Sequence, residues 1–285
     1  MSTLAISLVL LLALTSCKNT NLSKENPGIM KSGYSDVNGI KMYYEIYGQG
    51  KPLVLIHGGG STIQTTFGRV IPLFSKNRKL ICVELQAHGR TGDRAAGLSF
   101  EQDADDVADL LKNLGIEKAD FFGFSNGANT ALQIAIKHPQ LCGKIVAGSF
   151  LLKRDGAFPG FWEFMKNGTF EQMPQQFKDA FLEHTPDSAK LLTMYQKCAD
   201  RMIHFSDFPD DQIRSIKAPV LLVNGDQDVA TAEHVVAMSK LITGSRVAII
   251  PGGHGAYIGE ITTLQPDYKE DDFIVPLINR FLDED

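Results

Sequence analysis

The sequence predicts an α/β fold, with a mostly parallel central sheet flanked by helices and a helical cap insertion. Three observations carry this. Short apolar runs alternate with segments of helical periodicity from residue 40 onward. The apolar runs are continuous, as strands buried on both faces must be. Finally, Gly123-Phe124-Ser125-Asn126-Gly127 stands between a strand-like run and a helix-like one.

The elements follow in order. Ile40–Tyr47 has β-rich composition and ends at Gly48. Pro52–Ile56 is a short apolar run that leads into His57-Gly58-Gly59-Gly60, and Leu80–Leu85 is the next strand. Asp103–Leu114 places Val107, Leu110, Leu111 and Leu114 at helical spacing, and Gly115 closes it. Asp120–Phe124 reads as a strand, Asn129–Lys137 as a helix that stops before Pro139, and Lys144–Gly148 as a strand. Pro219–Val223 is a strand, Ala232–Leu241 a helix, Arg246–Ile250 a strand and Phe273–Leu282 a last helix. The alternation fails between Phe150 and Ile216, where no strand is evident. A structureless loop that long is improbable. The segment is rich in aromatic residues and Met, so residues 151–215 are expected to form a helical cap. The core is then residues 34–150 and 216–285.

Composition narrows the function. The chain has 285 residues, 44% hydrophobic and 21% charged, which excludes a disordered or fibrous protein. Lys plus Arg number 28 against 33 Asp plus Glu, with no long basic tract, so no nucleic-acid partner is expected. Cys17, Cys82, Cys142 and Cys198 lie too far apart for a metal knuckle or a redox CxxC.

The N-terminus reads as a targeting segment. Leu4–Leu14 is almost wholly apolar, too short to span a bilayer comfortably and of the right length for a secretory signal core. Leu14-Thr15-Ser16-Cys17 resembles a bacterial lipobox, although no Lys or Arg precedes the apolar run. The resemblance implies a signal peptide over 1–16, lipidation (palmitate-type acylation) at Cys17 and a flexible tether to residue 33. The expected location is the cell envelope, with a lipid anchor in a membrane.

The chemistry gathers at strand ends. In Gly123-Phe124-Ser125-Asn126-Gly127 the glycines permit a strand-to-helix turn that lifts Ser125 above the sheet edge, and the Asn126 N–H lies at the helix N-terminus. An uncharged serine needs a base, and the base needs an orienting carboxylate. Asn224-Gly225-Asp226-Gln227-Asp228 and Pro251-Gly252-Gly253-His254-Gly255 each follow a later strand. Either Asp226 or Asp228 could serve as the acid, the other capping the next helix or holding the loop.

These motifs together resemble the α/β-hydrolase superfamily, in particular its capped esterase, haloperoxidase-like and C–C-bond hydrolase members. The resemblance covers about Asp36 to Asp283. It implies Ser125 as nucleophile, His254 as base and Asp228 as acid. It also implies an oxyanion hole from the N–H groups of Gly59 and Asn126, with Gly60 as the alternative to Gly59. The family segment D-x-x-G-H-G-x-S appears as Glu84-Leu85-Gln86-Ala87-His88-Gly89-Arg90-Thr91, with Glu, Ala and Thr replacing Asp, Gly and Ser. His57 is expected to brace the oxyanion loop. Asp226, Asp228, His57, His88 and His254 are metal-ligand types, but the triad accounts for them better, and neither metal nor cofactor is expected. Ser125 argues against the aspartate-nucleophile dehalogenases and epoxide hydrolases of this fold.

The function expected is hydrolysis of a small, partly apolar carboxylic ester through an acyl-enzyme. The alternatives are a C–C-bond, amide or lactone hydrolase with the same triad, and a non-catalytic ligand-binding lipoprotein. Phe124, Phe158, Phe161, Trp162 and Phe164 are the candidate pocket residues.

Overall fold

The computed structural model describes residues 28–265, 269 and 271–284. The signal segment and Cys17 therefore lie outside the described residues. Eight strands form one sheet among the described residues: β1 (Lys31–Val37), β2 (Ile40–Tyr47), β3 (Lys51–Ile56), β4 (Arg78–Val83), β5 (Ala119–Phe124), β6 (Cys142–Gly148), β7 (Val220–Gly225) and β8 (Arg246–Ile250). Their order is β1-β2-β4-β3-β5-β6-β7-β8. Strand β2 runs antiparallel to both its neighbours, and β4 through β8 are parallel. The fold is the one the sequence predicts.

One strand is additional. Lys31–Val37 has a polar, mostly exposed face, which hides it from hydrophobic periodicity. It pairs with β2 through a two-residue turn at Asn38-Gly39, where both φ angles are positive (42° and 85°). That geometry suits Asn-Gly and matches strand twist. Residues 31–33, assigned above to the tether, are therefore strand.

The helices follow in chain order: α1 (Ile63–Phe67), α2 (Ile71–Phe74), α3 (Phe100–Asn113), α4 (Asn126–Lys137), α5 (Phe161–Asn167), α6 (Gln175–His184), α7 (Ser188–Ile203), α8 (Asp210–Ser215), α9 (Ala232–Leu241) and α10 (Asp271–Asp283). Helix α3 begins three residues before its expected start because Ser99 Oγ accepts from the Gln102 N–H at 3.1 Å. Glu101 and Asp103 then sit in its first turn, where the helix dipole favours acids. One apolar cluster packs α3, α4, α8 and α9 on one face of the sheet, with Ile56, Val83, Phe121 and Leu222 among the strand residues. A second fills the other face with Phe67, Phe74, Phe122, Ile278 and Phe281.

The insertion between β6 and β7 divides in two. Helices α5 to α7 carry their own small clusters, around Phe181, Leu191 and Met194 and around Leu151 and Phe161. Phe205, Phe208, Ile213 and Ile216 instead belong to the main core. The expected cap boundary at 215 is thus too late: α8 is a core helix.

Candidate active site

The carboxyl ends of β3, β5, β6, β7 and β8 converge on one crevice. The chain leaves β3 for β4 on one side and returns to β5 on the other, and open parallel sheets bind ligands where strand order reverses in this way. Ser125 follows β5 with φ 54° and ψ −123°, a strained conformation for a residue with a side chain. Two glycines make the turn possible. A Cβ on Gly123 would run into the Gly127 carbonyl, and one on Gly127 into the carbonyls of Ile56 and His57. Backbone packs on backbone there, and Ser125 is pushed out above the sheet.

Ser125, His254 and Asp228 meet across the strand ends. His254 Nε2 lies 3.1 Å from Ser125 Oγ, and His254 Nδ1 lies 2.6 Å from Asp228 Oδ1. With Nδ1–H donating to the carboxylate, Nε2 is left to accept from the serine hydroxyl. Burial works against a charged imidazole, but the Asp228 charge and hydrogen bond outweigh it and hold the His254 pKa above the ordinary histidine value. The Asp228 carboxylate is buried, which alone would raise its pKa. The charge of His254 and the hydrogen bonds it accepts bring it below the usual carboxylate range instead.

The choice between the two aspartates is made by geometry. Asp226 is exposed and accepts from the Gly252 N–H at 2.8 Å, so it ties the β7 loop to the β8 loop. Asp228 points inward and accepts from Ser149 Oγ (2.6 Å), the Val229 N–H (2.6 Å) and the Gly225 N–H (3.2 Å) besides His254. The cap of α9 is Thr231, not an aspartate.

Ser149 is a residue the sequence does not announce. It directly follows β6 with a positive φ of 53°, and its hydroxyl also lies 2.9 Å from the fully buried Tyr257 hydroxyl. Neither residue belongs to a motif, and 108 positions separate them. Only the turn propensity of Gly148-Ser149 at a strand end could have drawn notice.

The loop after β3 completes the site. Among the described residues, the N–H groups of Gly59 and Asn126 are bonded to no protein acceptor. Gly60 N–H, the alternative donor, is engaged with His88 Nε2 at 3.0 Å. His57 Nδ1 donates to the Gly58 carbonyl at 2.7 Å, and its Nε2 accepts from the Leu85 N–H at 3.0 Å. Both rings are buried, and burial above all lowers their pKa values, to about 3 for His57 and about 4 for His88, so both are neutral. The three replacements in residues 84–91 are absorbed locally. Glu84 takes the Arg90 guanidinium (2.6 Å), Ala87 adopts φ 65°, and Thr91 Oγ1 donates to the Glu84 carbonyl (2.6 Å).

A cavity of about 360 Å³ opens above Ser125, toward the small end for a ligand site. Gly59, Asn126, Ser149 and His254 form its floor, and Phe161, Phe164, Met165, Met194 and Met202 of the cap are in its walls. Of the expected pocket residues, Phe161 and Phe164 line it. The other three do not, for packing reasons. Phe124 packs against the His254 ring at a 45° tilt, 4.8 Å between centroids. Trp162 donates to the Arg154 carbonyl (2.6 Å) and stacks on Phe205. Phe158 is 42% exposed and packs edge-on against Phe161.

This fold and strand-end constellation define an α/β-hydrolase, and the chain is a member of that superfamily. The family model of the alpha/beta hydrolase fold matches residues 51–192. The human serine hydrolase BPHL is 29% identical over 256 residues, spanning 82% of this chain and 84% of that protein. A 2-hydroxy-6-oxo-6-(2'-aminophenyl)hexa-2,4-dienoic acid hydrolase of Metapseudomonas resinovorans is 23% identical, spanning 85% and 90% respectively. Among solved structures, the enol-lactonase of Burkholderia xenovorans LB400 superposes with a TM-score of 0.68 at 19% identity, over 88% of this chain and all of that one.

Proposed function

We propose that the protein is a serine hydrolase that cleaves a small, partly apolar carboxylic ester through an acyl-enzyme. The single observation that carries this is the unbroken sequence Asp228–His254–Ser125 at 2.6 and 3.1 Å beneath an apolar cavity. His254 Nε2 takes the Ser125 proton as Oγ attacks the ester carbonyl. Asp228 holds the imidazole tautomer and stabilises its charge. The N–H groups of Gly59 and Asn126, free of protein acceptors among the described residues, receive the oxyanion. Such a donor is worth about 3 kcal/mol in the transition state. His254 then protonates the leaving alcohol, activates a water and releases the acid.

A second reading keeps the triad and changes the bond. Relatives named as a dienoic acid hydrolase and an enol-lactonase favour C–C-bond or lactone cleavage. A series of p-nitrophenyl esters from acetyl to decanoyl tests between them. The ester reading predicts turnover that peaks at one chain length and disappears in Ser125→Ala. No serine-dependent turnover across the series would sink it and turn attention to lactones and vinylogous diketones.

We also propose lipidation at Cys17 and an envelope location, on the lipobox-like sequence alone. Metabolic labelling with palmitate tests this: label lost in Cys17→Ala supports it, and a wild-type protein without label refutes it.

A further inference from the structure

The cavity is neutral as well as apolar. Among the described residues, no Lys, Arg, Asp or Glu side chain lines it. Its titratable imidazole, His254, must be uncharged to act as base. Most of its polar side chains are already committed. The Asn129 carboxamide bonds both backbone groups of Leu151 (2.6 and 3.1 Å). Ser149 is held by Asp228 at 2.6 Å, the Gln172 carbonyl oxygen accepts from the Thr169 N–H at 2.8 Å, and Cys198 Sγ lies 3.2 Å from His88 Nε2. The Asn126 carboxamide, by contrast, makes no side-chain hydrogen bond among the described residues. It lies against Gly59, beside the nucleophile, and is neutral.

The charges nearby do not line the cavity, and the nearest, the Asp228 carboxylate, lies behind His254 and Ser149 and is bonded to both (2.6 Å each). Arg201 shares α7 with Cys198 and Met202 but does not line the cavity. It is buried, bonds Asp103 at 2.7 Å and lies over the Phe100 ring. Glu163 borders a separate depression that shares Phe164, Gly168 and Gln172 with the cavity, and it accepts from Asn167 at 2.6 Å. An acid there offers a carboxylate nothing.

We propose that this site, taken as the ester hydrolase described above, accepts an uncharged acyl group and rejects one that carries a carboxylate or an ammonium. An ion drawn into the cavity would lose its hydration and meet no counter-charge among the side chains that line it, which is how a pocket discriminates by desolvation.

The test is a matched pair: p-nitrophenyl methyl adipate and mono-p-nitrophenyl adipate, the same chain with its far carboxyl masked or free. A second pair is p-nitrophenyl 6-acetamidohexanoate and 6-aminohexanoate. The masked member should exceed the charged one by about 100-fold in kcat/KM in each pair. Equilibrium binding of the same pairs to the unreactive Ser125→Ala protein separates recognition from turnover, and the masked member should bind more tightly there. A ratio below about tenfold in either pair, in turnover or in binding, overturns neutral selection. Absence of turnover for every ester, with the binding preference intact, would refute the ester chemistry and leave the charge preference standing.

Discussion

Ser149 and Tyr257 extend the triad beyond its three motif residues. Ser149 donates to the Asp228 oxygen that His254 does not use, so it fixes the carboxylate plane against the imidazole. Ser149→Ala should lower kcat about tenfold with KM nearly unchanged, measured on the best ester, because the carboxylate keeps its charge but loses orientation. Ser125→Ala should cost at least about a thousandfold in turnover and abolish fluorophosphonate labelling. The pH dependence follows from His254. Its pKa is raised, and only the neutral ring accepts a proton, so kcat/KM should fall as pH drops through that raised value. Asp228→Asn removes the charge that raises it, so the acid limb of the residual activity should move to lower pH. An unchanged limb would place the titration on another group. Ser125 and His254 are legible in the sequence because each stands in a glycine-flanked strand end. Asp228 is legible only as one of two acids, since burial, not residue type, distinguishes it from Asp226.

His88 links two elements that meet over the site. Its Nε2 accepts from the Gly60 N–H of the loop after β3, proposed above to receive the oxyanion, and lies 3.2 Å from Cys198 of α7. It is a positioning residue: His88→Ala should lower kcat about ten- to a hundredfold while leaving the preferred acyl length unchanged. His88→Gln, which restores an acceptor, should recover part of that loss. A purely structural role would give lower stability with normal kcat. Within the cap, Trp162 and Met165 should separate cleanly. Trp162→Ala should lower stability by about 2 kcal/mol, through its lost contacts with Arg154 and Phe205, and leave the chain-length profile in place. Met165→Ala, in the cavity wall, should shift the profile to longer acyl groups. Aromatic composition could not sort these residues, because cap packing and cavity lining ask for the same apolar side chains. Strand β1 escaped notice for the opposite reason. Its one-sided burial leaves a polar sequence whose partner is fixed by the Asn38-Gly39 turn.

At the scale of the whole molecule, a buried ion pair among the described residues joins cap to core. Arg201 of α7 and Asp103 of α3 are almost fully buried at 2.7 Å. Asp103→Ala should destabilise the fold by about 3–5 kcal/mol, measured by urea unfolding, since it strands a buried guanidinium. The parallel sheet was legible because its strands are apolar on both faces. The strand order was not, because register between elements far apart in sequence is set by packing that no local pattern reports. The functional constellation needs all of it: five strand ends bring one serine, one histidine, one acid, the Ser149 hydroxyl and a glycine loop together. Rapid-quench mass spectrometry during turnover of the preferred p-nitrophenyl ester tests the resulting chemistry most directly. An acyl adduct on the peptide that holds Ser125, formed in the burst and absent from Ser125→Ala, is the expected result. Serine-dependent or independent turnover with no adduct there, or with the acyl group on another residue, would contradict it.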